Sequence, residues 1–117
     1  MKTMQYPLTE IKAEISRICQ DWGVAEPNFK LNQRKRRLGT FFYDSHIDCC
    51  PTTPDEMAKN GIRIEISAPM VKTRSRETVL AVIRHEMAHY LDYIIYGARS
   101  LGHGPKFQEI NAILGGC

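Results

Sequence analysis

The chain has too few cysteines, in the wrong arrangement, for a disulfide framework. Its four, Cys19, Cys49, Cys50 and Cys117, contain no Cys-x-x-Cys pair, and two are direct neighbours. Reduced thiols are therefore expected, and Cys117 would at most open a zinc ribbon whose remainder is missing. Long apolar runs are lacking too. No segment approaches the ~20 consecutive apolar residues of a membrane span. The opening, MKTMQYPLTE, has one lysine and then polar residues where a secretory signal would need an apolar centre. A cytoplasmic protein with no membrane contact is the expectation. Repeats and low-complexity tracts are absent, and histidine is scarce at four in 117 residues, so the placement of each one carries weight.

What is present is globular material. A hydrophobic content of 43% with 25% charged residues argues against wholesale disorder. A length of 117 residues is most simply one domain, spanning 1–117. The net charge of +3 favours an anionic partner only slightly, but its distribution is uneven. Arg34, Lys35, Arg36 and Arg37 form one run, and Lys72, Arg74 and Arg76 form a second.

Periodicity gives an α+β pattern. Ile11, Ile15, Ile18 and Trp22 recur at helical steps, predicting an N-terminal helix over about 9–22, capped by Thr9, preceded by Pro7 and closed by Gly23. The remaining core, about 28–114, holds the segment NFKLNQRKRRLGTFFYD and the segment IRIEIS. In the latter Ile62, Ile64 and Ile66 alternate with Arg63, Glu65 and Ser67, the period of a strand with one buried face. Two or three antiparallel strands are expected. Then RETVLAVIRHEMAHYLDYIIYG reads as a long helix, with Ser75 as N-cap, Gly97 as its stop, and Leu80, Ile83, Met87, Leu91 and Ile94 as its core stripe. Pro105 opens a short final helix through Phe107, Ile110 and Leu114.

The long helix carries RHEMAHY, a His-Glu-x-x-His (HExxH) motif. His85 and His89 stand four apart, share a helix face, and can converge on one zinc ion without backbone strain. Glu86, about 100° around the helix from His85, can reach a water on the open side of the metal. It can take that water's proton as the water attacks a carbonyl, then protonate the leaving amine. A catalytic zinc needs one more protein ligand. His103, between Gly102 and Gly104, ranks first, because a lone imidazole between glycines has little packing role. Glu109, in the following helix, competes with it. Asp92 belongs more naturally behind the ligands, orienting one through its free ring nitrogen. Nothing converges on His46. Tyr90, Tyr93 and Tyr96 are candidate oxyanion stabilisers whose spacing equally suits packing.

These residues resemble a known family, the SprT-like zinc metalloprotease domain shared by SprT and Spartan proteins. The resemblance rests on VIRHEMAHYLDYIIYG, the downstream GHGPKF and the strand ending IEISAP. It covers roughly residues 30–114. It implies His85, His89 and His103 as ligands of one catalytic zinc and Glu86 as the acid/base, and so favours His103 over Glu109. It further implies a zincin-like fold, a small antiparallel sheet packed on the motif helix with flanking helices. The cysteine zinc ribbon or DNA-binding tail of many relatives has no counterpart before Cys117.

The expected function is a zinc-dependent endopeptidase. Its implied targets are DNA-associated or DNA-crosslinked proteins, with DNA met through the two basic clusters. An exposed strand such as IRIEIS would bind an extended peptide by strand addition. Arg74 and Arg76 flank the start of the motif helix, where positive charge is disfavoured by ~0.3–1 kcal/mol each, a cost that an anionic partner would offset. Two rivals remain. One is a zinc-containing nucleic-acid-binding regulatory module without protease activity, and the other a regulatory peptidase with one specific protein target.

Overall fold

The structure, a computed structural model, describes residues 5–37, 39–42, 62–96 and 103–116. His46, Cys49, Cys50, Gly97 and Cys117 lie outside them. Helix α1 (Gln5–Trp22) begins a turn before the expected cap at Thr9. Pro7 falls in its first turn, where the missing N–H leaves no helical bond unmade, so the proline opens this helix instead of preceding it. Ile11, Ile15 and Ile18 are buried as their spacing demands. Gly23 closes the helix at φ +67°, and the Val24 N–H returns to the Cys19 carbonyl at 3.0 Å. Cys19 is a free, buried thiol. Burial, with the Glu26 charge, pushes it up to about 12, so it stays protonated and inert.

Three strands follow, β1 (Asn28–Asn32), β2 (Gly39–Phe42) and β3 (Arg63–Ser67), in the order β1-β3-β2. The sheet is mixed, which corrects the antiparallel expectation. β3 runs parallel to β1, with Phe29 opposite Ile64, and antiparallel to β2, with Phe41 opposite the same Ile64. The most deeply buried strand takes the centre, where both its backbone edges are paired and Ile64 and Ile66, with Ile62 just before them, are wholly buried. With both edges taken, β3 has no place for an added peptide strand, so IRIEIS does not fill the role expected of it.

The polar face of β3 is not solvated either. Glu65 and Ser67 are buried beside the isoleucines. Glu65 receives Arg63 Nε at 2.6 Å and Asn32 Nδ2 at 3.0 Å. Burial alone would raise its carboxyl, but the hydrogen bonds from Arg63 and Asn32 outweigh it and hold the group below the usual carboxylate range. Ser67 donates to the Arg34 carbonyl and accepts from the Met70 N–H at 3.2 Å. That second bond caps a short helix, α2 (Ala68–Thr73), which periodicity did not reveal. The first ties the loop carrying Arg34, Lys35, Arg36 and Arg37 across the C-terminal end of β3.

Ser75 caps the long helix α3 (Arg76–Tyr96) as its position suggested, its hydroxyl accepting from the Thr78 N–H at 3.2 Å. Helix α4 (Pro105–Leu114) follows. α3 is the hub of the fold, packing against α1, β2 and α4. Its stripe of Leu80, Ile83, Met87 and Leu91 is buried, and Ile94 packs against the core from its edge.

The contact between β2 and α3 depends on one glycine. A Cβ placed on Gly39 would stand 2.8 Å from Val82 Cγ1, 3.0 Å from Glu86 Cγ and 3.2 Å from Ile66 Cδ1. Glycine in a strand marks such close approach. Gly39→Ala is expected to destabilise the fold by about 1–3 kcal/mol through overpacking. Urea denaturation reads this directly, and an unchanged midpoint would mean that β2 does not press on the helix at this point.

Candidate metal centre

The helical repeat brings His85 and His89 onto one face of α3, and the entry into α4 delivers His103 to them. Pro105 at the first turn of α4 restricts the residue before it, and Gly104 is accordingly extended at φ −76°, ψ −174°. The Gln108 side chain then holds the His103 carbonyl at 3.1 Å. As a result, one ligating atom from each of His85, His89 and His103 lies within 4.8 Å of the others. Glu109, the competitor, is exposed on α4 and is not one of this group.

The spacing suits a tetrahedral ion. Two imidazole nitrogens bound at ~2.0–2.1 Å in a tetrahedron stand roughly 3.3 Å apart. His89 Nε2 and His103 Nε2 are 3.2 Å apart. Burial, followed by the charges of His85 and His103, pushes His89 down to about 4, so its ring is neutral near pH 7 as a ligand must be. His85 and His89 are half-buried and His103 is exposed, which leaves the cluster open to solvent on the His103 side. The three imidazoles are so placed that they could hold one metal ion.

Glu86 lies on the same helix, 7% exposed beneath Gly39. Burial pushes its carboxyl up to about 7, and the charge of Arg37 pulls it the other way. Arg37, the last residue of the basic run, therefore lies within electrostatic reach of Glu86, a juxtaposition with no local signal in the sequence. The residue before His85 is anchored as well. Arg84 donates Nε to Glu14 Oε2 at 2.7 Å, and Arg17 reaches the same oxygen at 2.8 Å. Burial would raise the Glu14 carboxyl, but these two arginines hold it below the usual range, tying α1 to the start of the motif.

Other nominated residues have different surroundings. Arg76 pairs with Glu10 of α1 at 2.8 Å. The anion that offsets its unfavourable place at a helix start is thus inside the chain, and the pair is half-exposed, worth about 0–1 kcal/mol. Lys72 and Arg74 are exposed. Arg34 and Arg63 flank the Phe42 ring, at 5.6 Å and 4.0 Å from its centroid. Tyr90 is buried and donates its hydroxyl to the Ala25 carbonyl, Tyr93 is buried edge-on to Phe41, and Tyr96 carries Lys106 over its ring at 4.9 Å. Asp92 is wholly buried one turn beyond His89. Phe107, expected only as core, proves to touch all three histidine rings. Its position four residues after His103, within GHGPKF, was the signal available in the sequence.

No helix among the described residues is long and apolar enough to cross a membrane. The DNA-dependent metalloprotease SPRTN of Danio rerio is 24% identical over 123 aligned residues, which take in 92% of this chain and 19% of that protein. The chain thus spans about a fifth of that relative's length. The SprT-like family model matches residues 8–117, nearly the whole chain, and includes the three histidines and Glu86. The chain belongs to the SprT-like family.

Proposed function

We propose that this chain is a zinc-dependent endopeptidase of the His-Glu-x-x-His type, acting on proteins associated with or crosslinked to DNA. The observation that carries the reading is the convergence of His85, His89 and His103, with Glu86 buried on the same helix. Held by the three imidazoles, a zinc ion would supply the Lewis acidity that makes a water acidic near neutral pH and polarises the scissile carbonyl. Glu86 accepts the attacking water's proton on its carboxylate and delivers it to the departing amine nitrogen. Gly39 lies against Glu86, close enough that a Cβ there would stand 3.0 Å from its Cγ. Since both edges of β3 are paired, an extended substrate would have to be met by the outer edge of β1 or β2, and β2 is the strand that touches the motif helix.

Support for a DNA-associated substrate comes from two sides. The relative's name describes it as DNA-dependent. In this chain Arg34, Lys35, Arg36 and Arg37 are exposed on a loop whose Arg37 charge acts on Glu86, so a polyanion held there would be within electrostatic reach of that carboxyl.

The test is proteolysis of a basic DNA-binding protein, with and without DNA, at defined zinc occupancy. Chelation should abolish cleavage and added zinc restore it. DNA should raise the rate, and Lys35→Glu with Arg36→Glu should lower the DNA-stimulated rate and flatten the salt dependence of DNA binding by about two phosphate contacts. DNA binding with no cleavage at full zinc occupancy would favour the regulatory binding module. Cleavage of one protein regardless of DNA would favour the dedicated regulatory peptidase.

A further inference from the structure

Four rings meet at the histidine cluster. The Phe107 ring is stacked on His89, with centroids 4.2 Å apart and planes 22° from parallel. It is edge-on to His85 at 5.0 Å and 71°, and tilted against His103 at 4.8 Å and 44°. Phe107 is 2% exposed, a fixed part of the core, whereas His85 and His89 are half-buried and His103 is exposed. One buried ring is therefore in contact with all three more accessible ones.

Resting on the metal-centre reading above, we propose that Phe107 is the positioning residue of the trihistidine site, the platform that sets the rotamers of His85, His89 and His103 before an ion arrives. Three physical effects converge on it. Free imidazoles must give up rotamer freedom to bind one ion, and a site ordered beforehand has already met part of that cost. Offset-stacked and edge-on aromatic pairs are the favoured ring geometries, and both occur here. The third effect is specific to the loaded state. An imidazole bound to a dication carries positive charge, and the face of an aromatic ring attracts a cation more strongly than a neutral group. The stack on His89 should therefore tighten when metal binds, so that Phe107 favours the loaded site over the empty one.

The chain builds this platform economically. His103 and Phe107 are four residues apart across the start of α4, and Pro105 and the Gln108 bond to the His103 carbonyl fix that turn. The same helix that buries Phe107 thus also holds His103.

The test compares three proteins by zinc competition against a chromogenic chelator, by the visible absorption of the cobalt(II)-loaded form, and by thermal melting without metal. Phe107→Leu keeps an apolar side chain and removes the ring. Ile110→Val trims the next buried residue on the same face of α4, 4% exposed and itself not a ring, as a control for lost packing. Phe107→Leu should weaken zinc binding by about 10–100-fold, the range typical of losing a group that orients a ligand. It should also alter the cobalt spectrum, while Ile110→Val lowers the melting temperature and leaves zinc affinity and spectrum as in the wild type. Wild-type affinity and spectrum in Phe107→Leu would overturn the proposal, as would equal weakening in both variants, which would make the ring ordinary core. A wild-type chain that binds neither ion would overturn the metal-centre reading itself, and this inference with it.

Discussion

Glu86→Gln is expected to reduce peptide-bond cleavage by about 10²–10⁴-fold, the usual contribution of a positioned acid/base, with zinc content unchanged. The substitution is nearly isosteric, so the contact beneath Gly39 survives and the helix has no reason to shift. What disappears is the ability to accept a proton. Because Glu86 is not one of the three groups whose ligating atoms converge, its loss should leave the ion in place. Removing a buried carboxylate also removes a desolvation cost, so the metal-free variant should melt no lower than the wild type. Three measurements on one preparation decide the matter: turnover, zinc per chain and melting temperature. Substantial turnover with zinc bound would falsify the role of Glu86. Loss of zinc along with turnover would instead assign Glu86 to holding the site.

Helices α1, α3 and α4 and the histidine pair were legible in the sequence because they depend on local spacing, whereas the short α2 was not. A period of three to four puts Ile11, Ile15 and Ile18 on one face, and the same geometry puts His85 and His89 on another. Strand order is not local. Nothing in IRIEIS says that β3 enters between β1 and β2, because that choice is made by competition among strands for the buried centre, and the isoleucines win it. The polar residues of β3 misled for the same reason. Glu65 looks solvent-facing by alternation, yet Asn32, 33 residues earlier, reaches over to satisfy it. Long-range charge placement is equally hidden. The basic run is visible in the chain, but its nearness to Glu86 follows from the crossing of the loop over β3, and the match of Arg76 with Glu10 spans 66 residues. Gly39 was the missed hint, since a glycine amid strand residues signals close approach even before the neighbour is known.

The choice between His103 and Glu109 yields the other large effect. His103→Ala should release zinc under mild chelator challenge, while Glu109→Ala should retain it. The two residues are close in sequence and both exposed, so loss of surface contacts would affect them alike. Their geometry differs. His103 Nε2 is 3.2 Å from His89 Nε2, close to a tetrahedral edge, whereas Glu109 lies outside the converging group. With His103 gone, two imidazoles on one helix must hold the ion alone, and the affinity should fall by more than the 10–100-fold that an orienting partner is worth. Elemental analysis after dialysis gives the stoichiometry, and the melting temperature gives an independent reading. Zinc at about a hundredfold over its dissociation constant adds about 2.7 kcal/mol to a protein that binds it only when folded. That zinc-induced rise should appear in the wild type and in Glu109→Ala and be lost in His103→Ala, whose metal-free melt should be close to wild type because the side chain is exposed. If Glu109→Ala proves to be the variant that loses zinc, the third ligand is a carboxylate and the start of α4 must rearrange on loading, because the present turn aims His103, and not Glu109, at the two histidines of the motif helix.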